Sequence, residues 1–329
     1  NRGWAVGSLG RILATRDGGR SWTLQREGGQ RAALLGIFAE THKLPVEMLV
    51  MLAGNEGYLS IVEILTSPAA NTTASTERSL EDRTHESVIA VGGSGAETAW
   101  QFPLRTAGLN LSADALVEDW DRVHAYGGRE RLLEHVVSKI RMWRPDVVVT
   151  EPPSLHGTDA LAQLVNQTVI AAVEKAADAS YLPEDSTLSG LRPWQVKKVY
   201  SSLGPDAAGA INLTTSQLAP RLGGSLADQA NCGWRLIRSE YRAPPHTYGF
   251  RLLVNRLSGD IGRSGFFSGV SLSPGGGARR IPHAPPPGDL RSLTRSAGQR
   301  RNVDKLLHHL ATCSETGSAW LSQIENLVR

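Results

Sequence analysis

Two short stretches of this 329-residue chain hold the residue types that hydrolytic or metal chemistry requires. The first, Ala39-Glu40-Thr41-His42-Lys43-Leu44, directly follows an apolar run. The second carries His156 and Asp159, a few residues beyond Val147-Val148-Val149. Glu40, His42, His156 and Asp159 are oxygen or imidazole donors of the kind that suit a divalent cation. Lys43 stands among them with the opposite character, because its charge repels a metal cation. The set therefore supports two readings: a metal site, or a pair of loops in which a lysine opposes metal. The second is favoured, since a Glu-x-His pair is common by chance and loop histidines are usually solvated.

The elements that must position these residues are legible in the apolar pattern. Residues 32–39 form a continuous apolar run, which suits a strand buried on both faces of a parallel sheet. Pro45 fits the first turn of a helix with the stripe Met48, Leu49 and Leu52, and Gly54 can end it. Leu59 to Leu65 is the next strand, completing a β-α-β unit. Residues 83–99 read as helical, with an interruption at Gly92-Gly93. Residues 112–122 form a short helix with Leu116 and Trp120 on one face. Leu132, Val136, Ile140 and Trp143 recur at helical spacing over 129–143, and Pro145 stops that helix. Asp146 to Thr150 is a second buried strand, after which Thr158 can cap a helix beginning at Asp159. Further strands are expected at 196–203, 250–255 and 266–272. Strands 33–39 and 146–150 should be parallel neighbours. The two loops then follow the carboxyl ends of sheet strands, where open α/β sheets bind ligands, and should converge on one cleft.

The N-terminal residues differ in kind. Residues 1–25 read as short antiparallel strands around Thr15-Arg16-Asp17-Gly18-Gly19-Arg20-Ser21-Trp22. The glycines permit a tight turn, Asp17 can bond back to the turn amides, and Trp22 should anchor the next strand in the sheet core. This segment resembles the Asp-box of sialidase-type and photosystem-II-assembly-factor-like propellers, where the box is a structural turn. A propeller needs about four or more blades, so residues 1–25 are expected to be the last blade of a truncated propeller.

From about residue 30 to 230 the chain resembles the PIG-L/LmbE family of zinc-dependent de-N-acetylases. The likeness rests on the strand at 32–39, on Arg83-x-x-Glu86, and on Ile140-Arg141 followed by Arg144-Pro145-Asp146-Val147-Val148-Val149-Thr150. His156 matches the loop histidine that follows. The resemblance implies a three-layer, Rossmann-like α/β fold with a parallel sheet over residues 30–273. It also implies a metal-activated water attacking the N-acetyl group of an amino sugar or similar molecule. By position, Glu40 stands where a histidine ligand is expected, His42 where the general base is expected, and Lys43 where an aspartate ligand is expected. His156-Gly157-Thr158-Asp159 replaces the second ligand segment, with Asp159 in the place of its last histidine. If the site were active, His42 would be the catalytic group and Glu40, His156 and Asp159 the zinc ligands. With these changes no cofactor is expected, and a non-catalytic binding or scaffold role, with an amino sugar or glycan as partner, is the favoured function.

Other features mainly exclude. A net charge of +3, from 35 basic and 32 acidic residues, is too mild to indicate nucleic acid. No run approaches the ~18 apolar residues of a membrane span, so a soluble protein is expected. No glycine-rich phosphate loop follows the first strand, which argues against a nucleotide-binding domain. Cys232 and Cys313 are too few for a disulfide framework and read as buried thiols. Asp119 and Asp121 near His124 read as an exposed helix face. Residues 274–298 are expected to be a flexible linker and 299–329 a helical segment. Compartment and protein partners are not legible.

Overall fold

The computed structural model describes residues 2–6, 12–26, 32–68, 78–104, 112–153, 159–183, 185, 190–238, 240, 242–258 and 265–270. His156, Thr158, Cys313, the linker 274–298 and the helical segment 299–329 lie outside the described residues.

Strands Gly3–Val6 (β1), Ile12–Thr15 (β2) and Thr23–Arg26 (β3) form an antiparallel sheet. The turn between β2 and β3 is organised by Asp17, whose carboxylate accepts from Ser21 N at 3.0 Å and from the Thr15 hydroxyl at 2.7 Å. The expectation for Trp22 fails: its side chain is 45% exposed and anchors no core.

The main body is built on a seven-stranded, mostly parallel sheet. Its first elements in chain order are Leu34–Phe38 (β4), Val46–Leu49 (α1), Ser60–Ile64 (β5), Leu80–Ala90 (α2) and Ala96–Thr98 (β6). Then come Ala113–Val123 (α3), Gly128–Trp143 (α4), Val147–Thr150 (β7) and Ala160–Ala177 (α5). Lys198–Pro205 (β8), Ile211–Thr214 (β9), Leu226–Ile237 (α6) and Thr247–Asn255 (β10) complete it. The strand order is β9-β10-β8-β7-β4-β5-β6. β4 runs parallel to both β5 and β7, with Leu34 opposite Val147 and Ile37 opposite Thr150. β10 is antiparallel to β8 and β9.

Alternation along β4 splits the core into two layers. Leu35 and Ile37 pack with Leu132, Val136 and Ile140 of α4 and with Leu164 and Val165 of α5. Leu34 and Phe38 pack with Met48, Val88 and Trp234 on the other face. All five residues of β4 are buried, as a strand covered on both sides requires.

Several sequence expectations need correction. α1 does not stop at Gly54 but continues as a π-helical turn over Val50–Asn55. The stretch 83–99 is not one helix. α2 ends at Ala90, and Gly92 turns the chain at φ +95°, where a Cβ would lie 2.5 Å from Gly54 Cα. Only glycine permits that crossing, and residues 96–98 then pair with β5 as an edge strand. Residues 266–269 are a turn rather than a strand, and Phe266 packs edge-on against Tyr200 and Phe250. Cys232 is exposed, because it lies on the solvent side of α6.

Two polar networks are buried beneath this frame. Arg141 on α4 is 0% exposed, and its guanidinium donates to the carbonyls of Ala176, Asp178, Tyr181 and Leu182 at 2.7–3.2 Å and, more weakly, of Lys175. It thereby satisfies the C-terminus of α5 and the chain that leaves it. On β5, Glu63 lies 2.7 Å from His135 Nε2 and 3.1 Å from Lys139 Nζ of α4. Lys139 also pairs with Glu97 of β6.

Candidate functional site

The first candidate loop leaves β4 at Phe38 and is held by main-chain and hydroxyl contacts before any charged group enters. Thr66 donates from both N and Oγ1 to the Ala39 carbonyl, at 3.0 and 2.7 Å. Thr41 and Thr84 share a hydroxyl hydrogen bond of 3.0 Å, which ties the single 3₁₀ turn Thr41–Lys43 to α2. That turn presents Glu40, His42 and Lys43 at the carboxyl end of the sheet. β7 delivers Glu151 beside it, and Asp159 begins α5 as its N-cap, its carboxylate accepting from Ala162 N at 2.9 Å. Asp159 is thus the cap itself, not the first residue of a helix capped from outside.

Of the expected cluster Glu40, His42, His156 and Asp159, His156 lies outside the described residues; Glu40, His42 and Asp159 lie close to Lys43, joined by a further carboxyl. The Lys43 ammonium donates to Asp159 Oδ2. His42 Nε2 lies 3.8 Å from Glu40 Oε2. Glu151, which the sequence reading overlooked, is 1% exposed and accepts from Ala39 N at 2.5 Å through Oε1. Its other oxygen is buried with no hydrogen-bond partner. The available signal was its position: a carboxylate immediately after a fully buried strand, at the end where sheets of this kind bind ligands.

The electrostatics follow from burial and proximity. Burial raises the Glu151 carboxyl to about 7, against the Ala39 amide and the Lys43 charge, which favour ionisation. Burial opposes the charge on Lys43, but the Asp159 bond and the nearby Glu151 and Glu40 carboxylates outweigh it and hold the ammonium above its ordinary value. Asp159 behaves reciprocally: burial would raise it, yet the Lys43 hydrogen bond and the Ala162 amide leave it lowered. His42 is lowered, chiefly by burial, with Lys43 and Arg238 adding to the effect against Glu40 and Asp159. A cavity of about 230 Å³ adjoins, lined by Glu40, His42, Thr66 and Arg238 among others.

A tetrahedral zinc site needs lone pairs converging at ~2.0–2.2 Å; of the candidate donors, Asp159 gives Oδ2 to the Lys43 ammonium, and His156 lies outside the described residues. Among the described residues no group of three His, Cys, Asp or Glu side chains is placed to hold a metal ion. Asp119 and Asp121 have structural roles. Asp119 pairs with Arg122 at 3.0 Å, and Asp121 accepts from Gly127 N and Gly128 N at 2.9 and 2.7 Å.

No family model matches the chain, and no curated protein sequence matches it. Solved structures that resemble it include N,N'-diacetylchitobiose deacetylase from Pyrococcus horikoshii, at 13% identity over 69% of this chain and 88% of that one, TM-score 0.44. A 4-carboxy-2-hydroxymuconate hydratase from Pseudomonas putida is 12% identical over 70% of this chain and 100% of its own, TM-score 0.41. A deacetylase of the teicoplanin biosynthesis pathway is 10% identical over 68% and 99%, TM-score 0.37.

Proposed function

We propose that residues 30–273 form a PIG-L/LmbE-like domain in which the Lys43 ammonium takes the electrostatic place of a metal, and that the domain binds or scaffolds instead of hydrolysing. The observation that carries this reading is the Lys43–Asp159 bond, with Glu151 and Glu40 close enough to stabilise the same charge. An internal cation already balances the carboxylates that a metal would otherwise neutralise. The partner on this reading is an amino sugar or glycan entering the cavity beside Glu40 and His42. Residues 1–25 would be a propeller blade, 274–298 a linker and 299–329 a helical segment.

Calorimetric titration of the whole chain with Zn²⁺ tests the proposal. No stoichiometric binding in the micromolar range is expected. Tight one-to-one binding that disappears in the Glu40→Ala, Asp159→Ala double variant would overturn it and favour the other reading, an active metal-dependent hydrolase of N-acetyl groups. One feature favours that second reading: Glu151 exchanges its proton near neutrality, as a general acid or base must.

A further inference from the structure

A second and larger cavity, of about 560 Å³, lies between α6 and the segment that returns toward β10. α6 lines it with Asn231, Trp234 and Arg235, which recur at helical spacing, and Arg238 caps the same face. Arg242 comes from the returning segment, and Glu47 of α1 is the most buried residue of the lining, at 1% exposure.

Trp234 organises these groups. Its indole Nε1 donates to Glu47 Oε1 at 3.0 Å, and its ring carries the Arg238 guanidinium at 3.3 Å from the centroid. Stacking of this kind fixes the plane of the guanidinium without using its hydrogen-bond donors. Among the described residues, Arg235, Arg238 and Arg242 form no ion pair with a carboxylate. Burial and the charge of Arg242 both press the Arg238 guanidinium below its ordinary value, while Tyr248 and Glu47 support it. A helix C-terminus attracts a cation through its dipole, which accounts for one arginine and not for three.

The acidic groups of the lining do not neutralise them. Asp228 is engaged by Ser225, whose amide and hydroxyl both donate to its Oδ2 at 3.1 and 2.6 Å. Glu240 is exposed. Glu47 gives one oxygen to Trp234, and the Tyr248 hydroxyl lies close to the same carboxyl. Burial raises this carboxyl, against both of these hydrogen-bond donors. The cavity therefore offers forked cationic donors beside one buried carboxyl.

We propose that this cavity binds a small hydroxylated oxyanion, a phosphate ester or a hydroxy acid, with its anionic group on Arg235, Arg238 and Arg242 and a hydroxyl donating to Glu47. Guanidinium forks match phosphate and carboxylate oxygens in pairs, and a volume of about 560 Å³ is that of a small-molecule site. Arg238 also borders the cavity beside His42, so an occupant here would alter the field at the first site. The proposal goes beyond the Lys43 reading and does not rest on it: Zn²⁺ titration reports on one site and anion titration on the other.

The test is calorimetry on the whole chain with glucose 6-phosphate, citrate and inorganic phosphate, with glucose and heparin as controls. Glucose 6-phosphate or citrate is expected to bind one site with a Kd below about 1 mM, identifying the ester or the acid as the preferred source, and glucose is expected not to bind. Arg235→Gln and Arg242→Gln, both at exposed positions, should each weaken binding at least about tenfold with unchanged melting temperature; if one fails to fold, the other decides. The proposal is overturned if none of the three small anions binds, if neither variant changes the affinity, or if heparin alone binds, which would mark a polyanion surface.

Discussion

Replacing Arg141 with methionine is expected to lower the unfolding free energy by about 3–5 kcal/mol. The side chain is fully buried and serves main-chain carbonyls of α5 and the chain beyond it. Asp185 lies 3.6 Å away and the Asp178 carboxylate also feels the guanidinium charge, but the five hydrogen bonds described above all go to carbonyls. Methionine fills much of the volume but removes the charged donors: the Ala176, Asp178 and Leu182 carbonyls each keep one main-chain donor, from Trp194, Tyr181 and Asp185, while each lost hydrogen bond to the guanidinium costs about 1.5–3 kcal/mol. Arg141→Lys should be nearly as damaging, because one ammonium cannot reach acceptors spread around a planar fork. Denaturant unfolding measures both, and a midpoint for Arg141→Met equal to that of the parent chain would show that the carbonyls find other partners.

The second large effect concerns pH. Glu151 has an ordinary carboxyl value of 4.5 when unfolded, and burial lifts it to about 7 in the folded chain. Between these values the folded state holds a proton that the unfolded state releases. This group's contribution to stability is therefore full below pH 4.5, declines as pH rises, and is lost above about 7. The size of the change is about 3 kcal/mol, from roughly 1.4 kcal/mol for each pH unit between the two values. Asp159, held below its ordinary value, works in the opposite sense: it loses stabilisation as pH falls. The clean measurement is thus the difference between the parent chain and Glu151→Gln at each pH. Glutamine keeps an acceptor for the Ala39 amide and cannot ionise. Relative to the parent, the variant should gain steadily from pH 4.5 to 7 and then level off. A constant difference across that range would mean that Glu151 ionises as a solvated carboxyl does.

The layered sheet was legible because its strands are uninterrupted apolar runs and its long helices repeat at 3.6 residues. The run at 32–39 and the Val147-Val148-Val149 stretch became parallel neighbours as expected. The site was legible only as far as residue type and position allow. Glu40, His42, Lys43 and Asp159 could be placed together because their loops leave adjacent strands. Glu151 and Glu47 were not singled out, since a glutamate looks alike in sequence whether solvated or buried, and burial is what gives these two their character. Arg141 was visible as part of a motif, but its five carbonyl partners come from a helix end more than 30 residues further on. The misreading of 266–272 has a similar origin: aromatic residues suit a strand, and they equally suit a turn that drops two rings onto a sheet.

The ionic cluster around Glu63 bears on how the chain avoids misalignment. Along β5, Ile61 and Leu65 share one face with Glu63, toward α4, while Val62 and Ile64 point into the opposite layer. A slip of β5 by a single residue against β4 would exchange the two faces. Apolar side chains would tolerate that exchange, because both layers are oily. Glu63 would not: it would leave His135 and Lys139 and enter a layer formed by Leu34, Met48 and Val88. An unpaired carboxylate there costs several kcal/mol. One charged residue inside an otherwise degenerate strand thus acts as a keyway, admitting the sheet in one alignment and so fixing where the loop after β4 must open.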